Sequence, residues 1–513
     1  MKSIIHMPTL AVAMTGLGAA FINVIFFLYY MKVFLNFYKI EERYLNIAQI
    51  LFMVWNAIND PLFGWIQDVG CGKRCRWVMS RRKVILYMGP LFSASFLLFW
   101  FPWTTENPAW MVGLHLLVAL FLYDTMFSLV LSAYCGLFTE LSTEHSDRVR
   151  VVIYMEVSFL LGSMIIFPVD KLSRNLQDFH VFQYICVAAA ILSALCFLYS
   201  GWFSPGEVAQ VQQRLELEKL RGEDAVSIDD KEKHDSLGKR AQTGLTSSWA
   251  IIKERDFLCV VLGNFFRVMR LIGSISFMTI FVETLISPSG FLPLESNSLS
   301  LFYQLCGSLP SIGFILMWPA LYKFGPWIVN SFQGLLACAN CVIALFVGRH
   351  NPVWLAVFIL AENILARAGA IGVYNMFLPA VIEEDMERHN RKKPLSTLIF
   401  TLNALITKPA QSFAPMIVVF FLNRAHYELF NDIKQAERAQ NITSINVTQI
   451  NVTSTTMMSY PLSTMSPSQY DQLYDSMFLI ACLFPLVCAV MEGLLFLPYQ
   501  LKFRHRRQTI AAE

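Results

Sequence analysis

The chain has 513 residues, 55% of them hydrophobic and only 15% charged, with a formal net charge of +3 and a mean hydropathy of +0.49. A soluble chain of this length is about a quarter charged, and a small net charge with no basic stripe offers nucleic acid no footing. Apolar residues come instead in blocks of about twenty, the length a helix needs to cross a bilayer core of about 30 Å. No water is available at that depth, so each block must satisfy its own backbone and is predicted to be a helix.

In chain order, spans are predicted near 10–34, 46–67, 84–102, 109–138, 151–168 and 180–203. A second group follows near 256–286, 298–321, 327–347, 352–380, 395–423 and 473–500. The N-terminus lacks the short apolar run and small-residue cleavage site of a secretory signal, so the first block is expected to remain as a span. Residues 204–255 are charged and lack apolar blocks, which reads as a cytoplasmic linker. The expected fold is therefore all-α and membrane-embedded, with about twelve transmembrane helices. An N-terminal six-helix bundle occupies 1–203 and a C-terminal one 256–513.

Lys and Arg set the orientation. The loop after the second span holds Lys73, Arg74, Arg76, Arg81, Arg82 and Lys83, and the tail holds Lys502, Arg504, Arg506 and Arg507. Loops 103–108 and 287–297 carry neither residue type. Basic loops stay in the cytoplasm, which places both termini there and the 424–472 loop outside. That loop contains three N-x-T acceptors, Asn441, Asn446 and Asn451, an independent mark of an extracellular glycosylated segment. The expected location is the plasma membrane, in contact with the lipid bilayer, as a multi-pass monomer.

Charged and amide side chains within spans are expensive and mark partners or purpose. In the second span Asn56, Asn59 and Asp60 are three and four apart, so their oxygens cluster on one helical face. Pro61 has no N–H and releases the carbonyl of Ala57 as a further ligand. Such a cluster suits a proton on Asp60 or a hard cation such as sodium; a polar packing cluster around a proline kink is the structural alternative.

Family resemblance begins here. The stretch Asn59-Asp60-Pro61, Gly64-Trp65, then a basic loop ending Ser80-Arg81-Arg82-Lys83, resembles the glycoside–pentoside–hexuronide:cation symporter family of the major facilitator superfamily. Glu140-Leu141 through Asp147–Arg150, Glu254–Leu258 and Thr407-Lys408-Pro409 resemble later motifs of that family, and residues 26–30, 55–65 and 404–415 resemble an orphan vertebrate branch of it. The resemblance runs from about residue 10 to 423. It implies two six-helix bundles rocking about a central site, with a cation site between the second and fourth spans and the eleventh-span lysine beside it.

Asp60 stands at the family's second acidic ligand and Lys408 at its lysine. Asn56 replaces the first aspartate, and Leu131 stands where the fourth-span aspartate is expected. Ala20 replaces a sugar-contacting aspartate, and the fifth-span arginine falls at or near Met155 and Glu156. With fewer carboxylates, a proton is the expected coupling ion and sodium the alternative; a structural Asp60–Lys408 ion pair is the rival. No other cofactor and no metal site is expected.

Further charges lie in spans: Asp124 in the fourth, two turns before Leu131, and Glu156 in the fifth. Arg267 and Arg270 share a face of the seventh span, and Glu362 and Arg367 occupy the tenth. The arginine pair is expected to line the substrate cavity and hold an anionic group, with ion pairing to Glu362, Asp124 or Glu156 as the alternative. Glu283 reads as interfacial, and Glu383, Glu384 and Asp385 as a cytoplasmic gate or solvated loop. No nucleophile elbow, HExxH or phosphate loop supports an enzyme. The leading expectation is a secondary transporter of a small polar or anionic solute, the substrate itself being unknown. An amphipathic-lipid transporter and a non-transporting receptor or scaffold are the alternatives.

Overall fold

The computed structural model describes residues 7–69, 80–103, 108–141, 145–204, 249, 251–294, 296–348, 351–367, 377–389, 396–425, 427 and 467–500. Asn441, Asn446 and Asn451, the basic loop 73–79 and most of the 204–255 linker lie outside the described residues. Among the described residues all regular structure is helical, and a helix or helix pair lies at every expected span. The first half comprises α1 (Met7–Asn36), α2 (Glu42–Val69), α3 (Arg81–Leu97), α4 (Ala109–Leu141), the pair α5 (His145–Ser163) and α6 (Ile166–Leu172), and α7 (Phe179–Phe203). The second half opens with α8 (Arg255–Phe281), which runs on through a π turn (Val282–Ile286) and a 3-10 turn (Ser287–Ser289). It continues with α9 (Asn297–Phe324), α10 (Pro326–Val347), α11 (Pro352–Arg367) and α12 (Phe377–Arg388). The broken eleventh span is α13 (Ser396–Thr407) plus α14 (Pro409–Arg424), and α15 (Pro467–Phe496) closes the chain.

Among the described residues, eight helices are long and apolar enough to cross a membrane. The remaining spans fall short for physical reasons: α2 carries polar residues at its centre, α3 and α11 are short, and α5 opens on charged residues. Prolines account for the visible break. Pro409 brings no N–H to the eleventh span, so α13 stops at Thr407 and α14 starts afresh at Pro409 with Lys408 at the junction.

The halves pack alike. In the first, α1 lies on α5 and α7, α3 on α4 and α7, and α2 on α4. In the second, α8 lies on α13, α14 and α15, α10 on α11 and α15, and α9 on α11. These are the same neighbours one half-chain later, the mark of a repeated six-helix unit. The two bundles meet through α1 on α8, α2 on α13 and α14, and α5 and α6 on α9. Close approach at one of these seams favours glycine: a Cβ on Gly307 of α9 would lie 2.1 Å from the terminal Cδ1 of Ile166 in α6, which would have to swing aside.

Consecutive spans run antiparallel, so the start of α1 and the end of α15 share one face, called terminal here, and the opposite face is distal. On the terminal face Arg82 donates from Nε to the carbonyl of Gly201 (2.6 Å) and from Nη2 to that of Trp202 (2.6 Å). The basic Ser80–Lys83 stretch thus caps the last turn of α7, where carbonyls lack helical partners.

Candidate functional site

The polar residues of α2 meet those of α4 and α14 between the bundles. Asn59, fully buried, donates through Nδ2 to Asp124 of α4 in a short hydrogen bond. Its Oδ1 accepts from Nζ of Lys408 at 3.3 Å. Asn56, one turn earlier, donates to Oε1 of Gln411 at 3.4 Å, while its own buried Oδ1 has no hydrogen-bond donor. Asp124, Asn59 and Lys408 therefore form one polar chain from the first bundle to the second. The side chain of Asp60 lies outside the described residues, although its backbone belongs to α2. Thus Asn56, Asn59, Asp124 and Lys408 come together as expected.

Glu156 and Arg367 lie at the other seam between the bundles. Glu156 of α5 hydrogen-bonds Ser311 of α9. Arg367 donates from Nη1 to the carbonyl of Cys306 (3.1 Å) and from Nη2 to that of Gly307 (3.2 Å), also in α9. Among the described residues no carboxylate lies within ion-pair distance of Arg367. Among the described residues its charge is met by carbonyl dipoles, a poor substitute for a counter-ion at mid-membrane depth.

Arg267 and Arg270 take up the ion-pairing alternative, with Glu362 as one of the partners. They are 2% and 1% exposed and lie inside the second bundle. Arg267 Nη1 donates to Oδ1 of Asn330 (2.7 Å) and lies 3.6 Å from Oε1 of Glu492. Arg270 Nε lies 3.3 Å from Oε1 of Glu362, and its Nη1 lies 4.0 Å from Oε2 of Glu492. Two arginines and two glutamates form a balanced network joining α8, α11 and α15. Spacing three apart put both guanidiniums on one face; it could not say that the face turns inward to Glu492.

Comparison with known proteins agrees with this architecture. Residues 5–222 match the family model described as MFS/sugar transport protein. Transmembrane protein 180 of Gallus gallus is 28% identical over 432 residues, covering 81% of this chain and 81% of that protein. Transmembrane protein 180 of Mus musculus is 26% identical over 514 residues, covering 97% and 93%. The chain is thus similar to the major facilitator superfamily, by the family model over residues 5–222 and by these relatives over most of its length. The crystal structure of a mutant of the nucleoside transporter NupG shares the fold, with a TM-score of 0.55 across 96% of this chain and 100% of that one at 11% identity.

Within that superfamily fold, a second charged cluster escaped the sequence reading. Lys32 of α1 pairs with Glu283 in the π turn after α8 through a short charge-assisted bond, at 2% and 4% exposure. Lys32 also donates to Oδ1 of Asn175 at 2.7 Å. Nearby, Ser300 of α9 donates to Asp170 of α6 at 2.6 Å. Further out, Asn423 donates to Glu42 (3.1 Å) and Tyr427 to Asn36 (3.1 Å). All of these bonds but Lys32–Asn175 cross from one bundle to the other, and all lie in the distal half. Glu283 is thus buried in an ion pair rather than interfacial. Lys32 and Glu492 both stand inside apolar blocks, and the rule that flagged Asp124 also applies to them.

Proposed function

We propose that this chain is a secondary transporter of a small polar or anionic solute, working by alternating access and coupled to protons. The observation that carries the reading is the Asp124–Asn59–Lys408 chain, because it joins the two bundles at the seam that must open and close. Protonation of a carboxylate in the chain changes the attraction felt by Lys408, and with it the balance between states in which α2 and α14 are together or apart. Asp60 and Asp124 are the proton-carrying groups in this proposal, and Lys408 sets their affinity. The unpartnered Oδ1 of Asn56 supports the reading, since a buried acceptor without a donor leaves a place for water or a passing ion.

Recognition of an anionic solute passes to Arg367 in this scheme. Its planar guanidinium suits a carboxylate or phosphate, and Glu156 on the facing bundle suits a hydroxyl or amine. The distal face is proposed to be extracellular, with both termini cytoplasmic, the 424–472 loop glycosylated, and the plasma membrane as the site of action. The inter-bundle bonds cited above then close the outer side.

The test is uptake into liposomes from a library of small polar and anionic solutes under imposed proton or sodium gradients. Uptake of at least one solute driven by an inward proton gradient and reduced by Asp60→Asn is expected. Uptake indifferent to the proton gradient and intact in Asp60→Asn would overturn the coupling role. Asn56→Asp is the companion, because gained sodium dependence would show that the family's cation geometry persists.

A further inference from the structure

We propose that Glu254, Asp385 and His389 form a binding site for a divalent transition-metal ion on the terminal face, clipping the start of α8 to the end of α12. One donor atom from each residue can be chosen so that all lie within 4.8 Å of one another. Nδ1 of His389 lies 3.1 Å from Oδ1 of Asp385 and 3.8 Å from Oε1 of Glu254. Asp385 and His389 are four apart and share one face at the end of α12; Glu254 arrives from the residue before α8. Metal–oxygen and metal–nitrogen bonds of about 2.0–2.2 Å require the donors to close by about an ångström or less.

An independent observation points to a missing cation. Glu254 is 7% exposed and its Oε1 accepts no hydrogen bond, although it faces Asp385, itself 0% exposed. Among the described residues its ion-pair partners are Arg388 at 3.9 Å and, when protonated, His389 at 3.8 Å, both too far for a hydrogen bond, and Arg388 donates instead to Glu384 at 3.1 Å. Burial first, and then the charge of Asp385, hold the Glu254 carboxyl above the usual carboxylate range. A doubly charged ion removes that repulsion. His389, at 35% exposure, leaves a route in from the aqueous side. Two carboxylates with one imidazole favour zinc, manganese or ferrous iron over calcium or magnesium, which prefer all-oxygen shells. A water completes the coordination. The site is remote from the Asp124–Lys408 chain and does not depend on the transport reading.

The experiment is equilibrium dialysis of the purified, metal-stripped full chain against Zn2+, compared with Asp385→Asn, His389→Ala and Glu254→Gln. The wild type is expected to hold one more ion per chain than each variant, or to bind at least tenfold more tightly. Equal stoichiometry and affinity in all four proteins would overturn the site. Should a variant fail to fold, the visible spectrum of Co2+ bound to the wild type decides. Bands of an oxygen and imidazole shell support the assignment, whereas strong thiolate charge-transfer bands would place the ion on cysteines and overturn it.

Discussion

Removing Lys32 should open the distal face. The Lys32–Glu283 pair is almost wholly buried and joins α1 of one bundle to the π turn of the other. In Lys32→Met, Glu283 stays buried near Tyr303 and Asp170 in the closed state and loses its ion pair with Lys32. Breaking a buried pair in this way costs about 3–5 kcal/mol. The penalty falls on the closed state alone, because an open distal face lets water reach Glu283. Each 1.4 kcal/mol is about tenfold, so the closed-to-open ratio is expected to fall by about two to three and a half orders of magnitude. A cysteine reporter at Ser287, buried beside the turn, makes the shift measurable with a membrane-impermeant maleimide. Faster labelling in Lys32→Met and return toward the wild-type rate in Lys32→Met/Glu283→Leu are expected, since the double variant leaves no stranded charge. Equal labelling in the single variant and the wild type would refute the latch.

Gly307→Val should weaken the same closed state, because even a Cβ there meets Ile166 at 2.1 Å; overpacking of this kind costs about 1–3 kcal/mol. Gly334→Ala, with nothing within 4 Å of the added carbon, is the neutral control in the same labelling assay. Arg270→Leu strands Glu362 while Glu492 keeps Arg267, and it is expected to lower the melting temperature of purified protein well below that of Arg367→Ala. Arg367→Ala, by contrast, is expected to fold and to lose uptake of anionic solutes. In metal-free protein, Glu254 has a carboxyl raised by burial and by Asp385. Its contribution to stability is full below the ordinary unfolded value of about 4.3 and is lost as pH rises through the raised folded value. The melting temperature should therefore fall as pH climbs above the usual carboxylate range, and fall less in Glu254→Gln.

The helical frame was legible because each span must satisfy its backbone alone, so a block of apolar residues announces itself without tertiary context. The break at Lys408 was not expected within the 395–423 span, although Pro409 carries a local cause for it in its missing N–H. The π turn that presents Glu283 carries no such signal in the sequence; it packs against α11 and α15, both later in the chain. Asn56, Asn59, Asp124 and Lys408 were legible as a group because amides and charges at mid-span are costly unless they meet one another. Arg267 and Arg270 drew the same attention, with cavity lining and pairing to Glu362 both open, and spacing alone could not decide between them. Helical spacing fixes which side chains share a face, but the direction of that face depends on partners such as Glu492, two hundred residues away in sequence and adjacent in space. The trio of Glu254, Asp385 and His389 was hidden similarly, with a lone glutamate completing a pair that reads as an ordinary helix end.

The most direct test of the central claim separates net proton-driven uptake from exchange at the Asp124–Asn59–Lys408 chain. Proteoliposomes carrying wild type, Asp60→Asn or Asp124→Asn would be assayed for uphill solute uptake under a proton gradient and for solute–solute exchange without one. A permanently neutral side chain mimics the protonated carboxylate, so it can pass loaded between faces but cannot release its proton. At least one of the two variants is expected to lose uphill uptake while keeping exchange. If both variants keep uphill uptake, or lose exchange as completely as uptake while still folded, the polar chain holds the bundles together without coupling them to protons.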